Sequence, residues 1–481
     1  MSGSVKIEKT GKPVVFVVTD NFIRDAKSGA EDVGMPMLRM TALPADEYYK
    51  NRYSVDDVKG VAAAAVDGII EGLTRPLSEE EGSTKAKEPE SARTIKITAE
   101  TYEAAVERFN QIFVDNHWGS GLPLLPPTAE RVKWMLSGTT RSPDEAIGTV
   151  APKNGRATVE KIAINAVMAG AKPEYLPVII AAVEALTDKR FDLLHVMAST
   201  GSFTLQIVVN GPITEEIGMN SGIGLIGYGF RANSTIGHAV RLCLINLGLL
   251  WPAENDMALI GRPSSDTFYI FAENERYNPW GPFHVSLGYK KEDSCVTVMT
   301  VGGYASSAVG LTVFGGGAVI PWKAQELLDN IVKTIMAGRG TIPMWKAGTA
   351  IPSPEKHFLV LHPEFAMELA RLGYTRRTLQ QYLYDRASIR YEDLSEKEIA
   401  SFKRRLAAKE IPEDRVAVFE GSLKPGGKVP MLLRPEDCVV FVAGGIPGYS
   451  FGTSYFSIPI YAPTAVMTKQ IRGATLTKGG R

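Results

Sequence analysis

The stretch Asn220-Ser221-Gly222-Ile223-Gly224-Leu225-Ile226-Gly227-Tyr228-Gly229-Phe230-Arg231 leads through Ala232-Asn233-Ser234-Thr235 into an apolar run that ends at Gly248. Just upstream, residues 205–209, closed by Asn210-Gly211-Pro212, read as a buried strand. Strand, glycine-rich loop and helix in that order are the parts of an α/β protein. Glycines at near-alternate positions let the backbone take positive φ and come close to a ligand, so Gly222, Gly224 and Gly227 are candidate binding residues. Asn233, Ser234 and Thr235 offer an N-cap for a helix over 236–247. A helix start behind such a loop gathers free N–H groups and partial positive charge, which suits an anion, and Arg231 adds a formal charge. The spacing is not a dinucleotide fingerprint, because no strand runs directly into the glycines and no suitably placed acid marks a ribose. Close backbone packing without a ligand is the other reading of the same residues.

Around this stretch lies a chain of 481 residues, 44% hydrophobic and 22% charged, long enough for two or three packed domains. Its 53 basic residues balance 53 acidic ones, which argues against whole-surface attraction to nucleic acid or anionic lipid. Cys243, Cys295 and Cys438 are too scattered for a disulfide framework or a thiolate metal cluster and read as small core hydrophobes. The histidines lack paired ligand spacing, so no metal site is read, and no motif names a cofactor. With no charged-then-apolar leader and no apolar run long enough for a bilayer, a cytoplasmic location is expected.

Toward the start of the chain, 13–18 and 37–43 read as strands and 20–30 and 57–73 as helices, giving a small parallel α/β piece over 1–77. Two strands and two helices cannot cover a strand that is apolar on both faces, so this piece is expected to be completed by a partner chain. Residues 78–94, rich in Glu, Lys, Ser and Pro, read as a solvated linker. Beyond it come a main α/β domain over 95–345 and a C-terminal α/β segment over 346–481 packed on it. The fold class is therefore α/β, an incomplete parallel piece plus a large mixed body.

Within the body, His117-Trp118-Gly119-Ser120-Gly121-Leu122-Pro123 opens a proline-stiffened stretch suited to a pocket wall. Lys161 and Asn165 stand out in an apolar helix, and His195 lies ahead of the 205–209 strand. A strand over 268–271 delivers Glu273-Asn274-Glu275-Arg276, followed by Trp280 and His284, a polar cluster that could equally be surface decoration. Glu273 or Glu275 is a candidate general base with His284 or His195 as acid, provided burial raises the carboxyl pKa. His117, Lys161, Asn165, Arg231, Asn233 and Ser234 are candidate substrate contacts. His238 reads as a satisfied core histidine. Asp293-Ser294-Cys295 and Glu436-Asp437-Cys438 each open an apolar strand that ends in Gly-Gly, at Gly302-Gly303 and Gly444-Gly445, so both turns are candidate pocket walls.

Lys12-Pro13-Val14-Val15-Phe16-Val17-Val18-Thr19-Asp20-Asn21-Phe22, Gly34-Met35-Pro36, Gly121-Leu122-Pro123-Leu124-Leu125-Pro126-Pro127-Thr128, Asn165-Ala166-Val167-Met168-Ala169-Gly170 and Arg231-Ala232-Asn233-Ser234-Thr235-Ile236-Gly237 resemble the UGSC family of (seleno)proteins. That family's name-giving thiol or selenol motif has no counterpart here, since Ser2-Gly3-Ser4-Val5 carries neither group. The resemblance implies sulfur-related or redox chemistry with the reactive group on a second subunit carrying Cys or selenocysteine. The leading expectation is a subunit of a hetero-oligomeric enzyme that binds a small anionic substrate. A self-sufficient lyase or hydratase using Glu and His, and a non-catalytic scaffold, are the alternatives.

Overall fold

The computed structural model describes residues 4, 7–8, 10–32, 35–50, 55–82, 94–264, 266–302, 305–308, 324–341, 357–409, 411–445, 453–457 and 466–475. Its strands are β1 Phe16–Thr19, β2 Met40–Leu43, β3 Ala146–Val150, β4 Gly155–Thr158, β5 Thr204–Asn210, β6 Tyr269–Ala272, β7 Cys295–Val301, β8 Ala305–Ala308, β9 His357–Leu361, β10 Ser388–Arg390, β11 Lys428–Pro430, β12 Cys438–Val442, β13 Thr453–Ser457 and β14 Met467–Gln470. Two four-stranded sheets carry the body, in the orders β14-β7-β5-β6 and β12-β9-β13-β8. Both are mixed: β5 is parallel to β6 and antiparallel to β7, while β9 is parallel to β12 and antiparallel to β13.

The pleat explains why the central strands β5, β7 and β12 are buried at every position. Val208, Phe271, Met299 and Val301 of the first sheet meet Phe358, Val360, Val439 and Phe441 of the second. The alternate residues Leu205, Ile207, Val209, Ile270, Val296 and Val298 turn the other way, onto the helices Val159–Met168, Leu176–Leu186 and Arg231–Asn246. Leu359, Leu361, Val440 and Val442 likewise face the helices Pro363–Arg371 and Arg376–Arg386. The body is thus four layers, helix, sheet, sheet, helix, and its central strands are buried on both faces. The segments on either side of residue 345 share both sheets, since β8 joins the second and β14 joins the first.

The N-terminal piece is a two-stranded parallel sheet with β1 residues 16–19 in register with β2 residues 40–43. Its own core is small, Ala30 and Leu38 with Phe16, Met35 and Met40 packed against them. The expected burial of the first strand is not met within this chain: Val17 is 42% exposed. Met37, Val66, Ile70 and Leu73 are exposed as well. Arg39 closes the piece by donating to both oxygens of Glu81 and to the carbonyls of Gly72, Arg75 and Pro76. Toward the body, Arg24 pairs with Glu254 at 2.9 Å across solvent-exposed surface.

Candidate functional site

The carboxyl ends of parallel strands are where open α/β sheets place their ligands. At the ends of β5, β6 and β12 the chain gathers Asn210, Glu273, Glu275, Asn278, His284 and Arg376. Glu273 is buried, with one oxygen accepting from Asn210 Nδ2 (2.6 Å) and the Phe283 N–H (2.6 Å). The other accepts from Asn278 Nδ2 (2.9 Å) and the Val442 N–H (3.2 Å), with Arg376 at 3.7 Å. Burial pushes the Glu273 carboxyl up, while Arg376, the Phe283 N–H, Asn210 and the Val442 N–H pull against it. Each of those partners is a donor, so the ionised carboxylate is the form the geometry satisfies. Glu273 ties the end of β6 to the 278–283 turn and to β12, which is the work of a structural clamp.

Glu275 accepts from the Gly211 N–H at 2.7 Å and from Asn210 Nδ2 at 3.0 Å, and 22% of its side chain is exposed. His284 is fully buried, and its Nε2 lies 3.0 Å from the Lys290 carbonyl. A carbonyl only accepts, so Nε2 carries a proton and the neutral ring keeps its lone pair on Nδ1. That Nδ1 has no hydrogen-bond partner and stands 3.9 Å from Glu275 Oε1. The buried His284 ring thus turns an unpaired nitrogen toward a partly exposed carboxylate, at a separation that one bridging polar group would span.

Arg231 goes elsewhere. It begins the helix Arg231–Asn246, five residues earlier than a cap at Asn233–Thr235 predicts. The side chains explain the difference: Asn233 is buried, accepting from the Asn220 N–H at 3.0 Å and donating to the Ile270 carbonyl at 3.1 Å. Thr235 Oγ1 donates back to the Arg231 carbonyl, and Ser234 sits half-buried within the first turn. Phe230 takes the N-cap position and supplies no side-chain acceptor. Arg231 donates through Nε and Nη2 to the Gly170 carbonyl. It lines a cleft of about 430 Å³ with Lys172, Glu174 and Trp134, whose floor and rim are Ser137, Gly138, Pro173 and Thr475. Gly138 allows that floor, because a Cβ there would sit 1.8 Å from the Pro173 carbonyl oxygen. Thr475 Oγ1 donates to the Ser137 carbonyl at 2.5 Å, so the strap after β14 forms the rim.

The remaining expected residues do not join either group. Gly222, Gly224 and Gly227 lie in a loop largely open to solvent, with Tyr228 at its tip 96% exposed. Gly224 and Gly229 take positive φ, and the Gly444 N–H donates to the Ser221 carbonyl, so one Gly-Gly turn does abut the loop. Gly303, of the other turn, lies outside the described residues. His195 pairs with Asp192 at 2.7 Å near the start of β5, where Arg262 links the carbonyls of Val196, Met197 and Phe203. The seven residues of β5 separate it by roughly 20 Å from Glu275, so it cannot act as that carboxylate's acid partner. Lys161 reaches the Arg156 carbonyl at 3.3 Å, and Asn165 accepts from Asn246 Nδ2 at 2.8 Å, holding two core helices together. His117 stacks on Trp251 with ring centroids 4.0 Å apart, on the side where Arg24 meets Glu254.

The three cysteines are buried and free. Burial pushes the Cys295 and Cys438 thiols up to about 12 and the Cys243 thiol up as well, so none is a thiolate at neutral pH. Among the described residues no three His, Cys, Asp or Glu side chains converge as metal ligands, and no helix is long and apolar enough to cross a membrane. No protein-family model, curated protein or solved structure matches the chain. Asn210, Arg376, Lys172 and Trp134 carry no local signal in the sequence.

Proposed function

We propose that this chain is a cytoplasmic enzyme subunit that binds a small anionic substrate in the Arg231 cleft, with the reactive thiol or selenol supplied by a partner chain. The observation that carries this reading is the cleft itself: two cations, Arg231 and Lys172, beside the start of a helix whose N-cap offers no side-chain acceptor. Glu174 in the same cleft disfavours a ligand that is anionic along its whole length, so the charge belongs at one end. The neutral thiols of Cys243, Cys295 and Cys438 support a reactive group from elsewhere, as the UGSC resemblance implies. The exposed apolar side chains of the N-terminal piece support a partner there.

Calorimetric titration with inorganic phosphate, sulfate and short carboxylates tests the cleft. Arg231→Ala is expected to weaken binding by about 1.5–3 kcal/mol, roughly 10- to 150-fold, with folding intact. Unchanged affinity in Arg231→Ala and in Lys172→Ala would remove the anion site. Native mass spectrometry of the protein purified from its own cells tests the partner, which should carry Cys or selenocysteine.

A second reading, a self-sufficient lyase or hydratase, is favoured by one observation, the unpaired Nδ1 of His284 facing Glu275. On that reading Glu275→Gln costs at least ~100-fold in turnover while Arg231→Ala acts on substrate affinity.

A further inference from the structure

We propose that Ser120 and His238 form a nucleophile and base pair that accepts an acyl group, a reactive site separate from both the cleft and the Glu275–His284 cluster. Ser120 Oγ lies 3.1 Å from His238 Nε2, the separation at which a base can take a hydroxyl proton during attack. The two residues are 118 positions apart in sequence, so tertiary structure, rather than a local turn, brings them together. Ser120 stands half-buried in the Gly119-Ser120-Gly121 turn, where Gly121 takes φ +97° and the prolines at 123, 126 and 127 stiffen the chain beyond it. His238 is 6% exposed inside the helix Arg231–Asn246, which holds its ring against the serine. Burial pushes the His238 imidazole down, keeping it neutral and able to accept a proton near pH 7. Asp266 favours the imidazolium that forms when the proton arrives, and Arg241 opposes it. The side chains of Leu122 and Leu125, 42% and 46% exposed, flank the turn and suit a short apolar acyl group.

The substrate class is a carboxylic ester or thioester. With the resting proton on Nδ1, Nε2 accepts the Ser120 hydroxyl proton as Oγ forms a bond to the acyl carbon. The bond from that carbon to the leaving oxygen or sulfur breaks, and the leaving group takes the proton from Nε2. Water then attacks the acyl-serine, giving its proton to Nε2, and Ser120 departs as the hydroxyl by recovering it. The net change is hydrolysis to a carboxylic acid and an alcohol or thiol, with no redox step.

The test treats the full-length protein with p-nitrophenyl acetate and with a fluorophosphonate at pH 7.5 and maps the modified residue by tandem mass spectrometry. Modification at Ser120, absent in Ser120→Ala and at least ~100-fold slower in His238→Gln, is the expected result. Because His238→Gln disturbs the core, Ser120→Cys provides a second reading: its alkylation by iodoacetamide should titrate below the ordinary thiol value of about 8.5, owing to the imidazole. A folded wild type that leaves Ser120 unmodified overturns the proposal. So does a Ser120→Cys thiol that titrates at its ordinary value, which would leave His238 with a hydrogen bond to Ser120 and no more. These readouts do not use the Arg231 cleft, so either proposal can fail without the other.

Discussion

Glu273 shows how a catalytic-looking carboxylate becomes part of the frame. Its two oxygens each receive one main-chain N–H, from Phe283 and from Val442. Side-chain amides can be turned over but main-chain donors cannot. In Glu273→Gln the new NH2 therefore meets a donor whichever way it is set, and Arg376 loses its counter-charge. We expect a loss of about 3–5 kcal/mol, read as a lowered urea midpoint with unchanged slope. A change within ~0.5 kcal/mol would show that the carboxylate is not the clamp. In the sequence Glu273, Glu275 and His284 are legible as a group because one strand end and one turn deliver all three. The division between frame and chemistry is set by partners that come from far away. Asn210 is 63 residues from Glu273, and neither it nor Arg376 stands out in its own segment.

Single elements are legible where burial on both faces leaves a mostly apolar run, as in β5, β7 and β12. Met467–Gln470 was not, because an edge strand with one apolar residue in four looks like loop. Helix starts misled for a related reason: Asn233 has the composition of a cap, but its amide is taken by Asn220 and Ile270. The helix Pro363–Arg371 is begun instead by a histidine, whose Nδ1 accepts from the Glu364 N–H at 3.2 Å. Burial lowers the His362 imidazole from 6.5 to about 4. The unfolded chain thus binds this proton more readily than the folded one between those values, and the folded state loses stability as pH falls through that window. Above pH 6.5 the contribution is complete. His362→Asn keeps an acceptor at the cap and removes the titration, so its urea midpoint should fall less than the wild type's between pH 6.5 and pH 4. Parallel pH profiles for the two proteins would rule out His362 as a source of the slope.

At the scale of the molecule, the four layers rest on cores to which none of the described residues before Ile97 contributes. The N-terminal piece meets the body through an exposed ion pair worth about 1 kcal/mol or less. Removing residues 1–94 should accordingly leave the melting temperature of the body within a few degrees of the full chain, while 1–82 alone should show no cooperative transition by circular dichroism. A body that unfolds without its first 94 residues would mean that the contact is far larger than Arg24–Glu254 suggests. The interleaving of the two sheets has a consequence in time. Thr468 of β14 meets Thr297 of β7 with hydroxyls 2.9 Å apart, across 171 residues of chain. At about 5–20 residues per second, a ribosome that has just released β7 needs roughly 10–35 s more to release its neighbour. Throughout that wait one side of β7, a strand apolar at most positions, offers open main-chain hydrogen bonds to any passing strand. During synthesis that edge is where a chaperone has the most to protect.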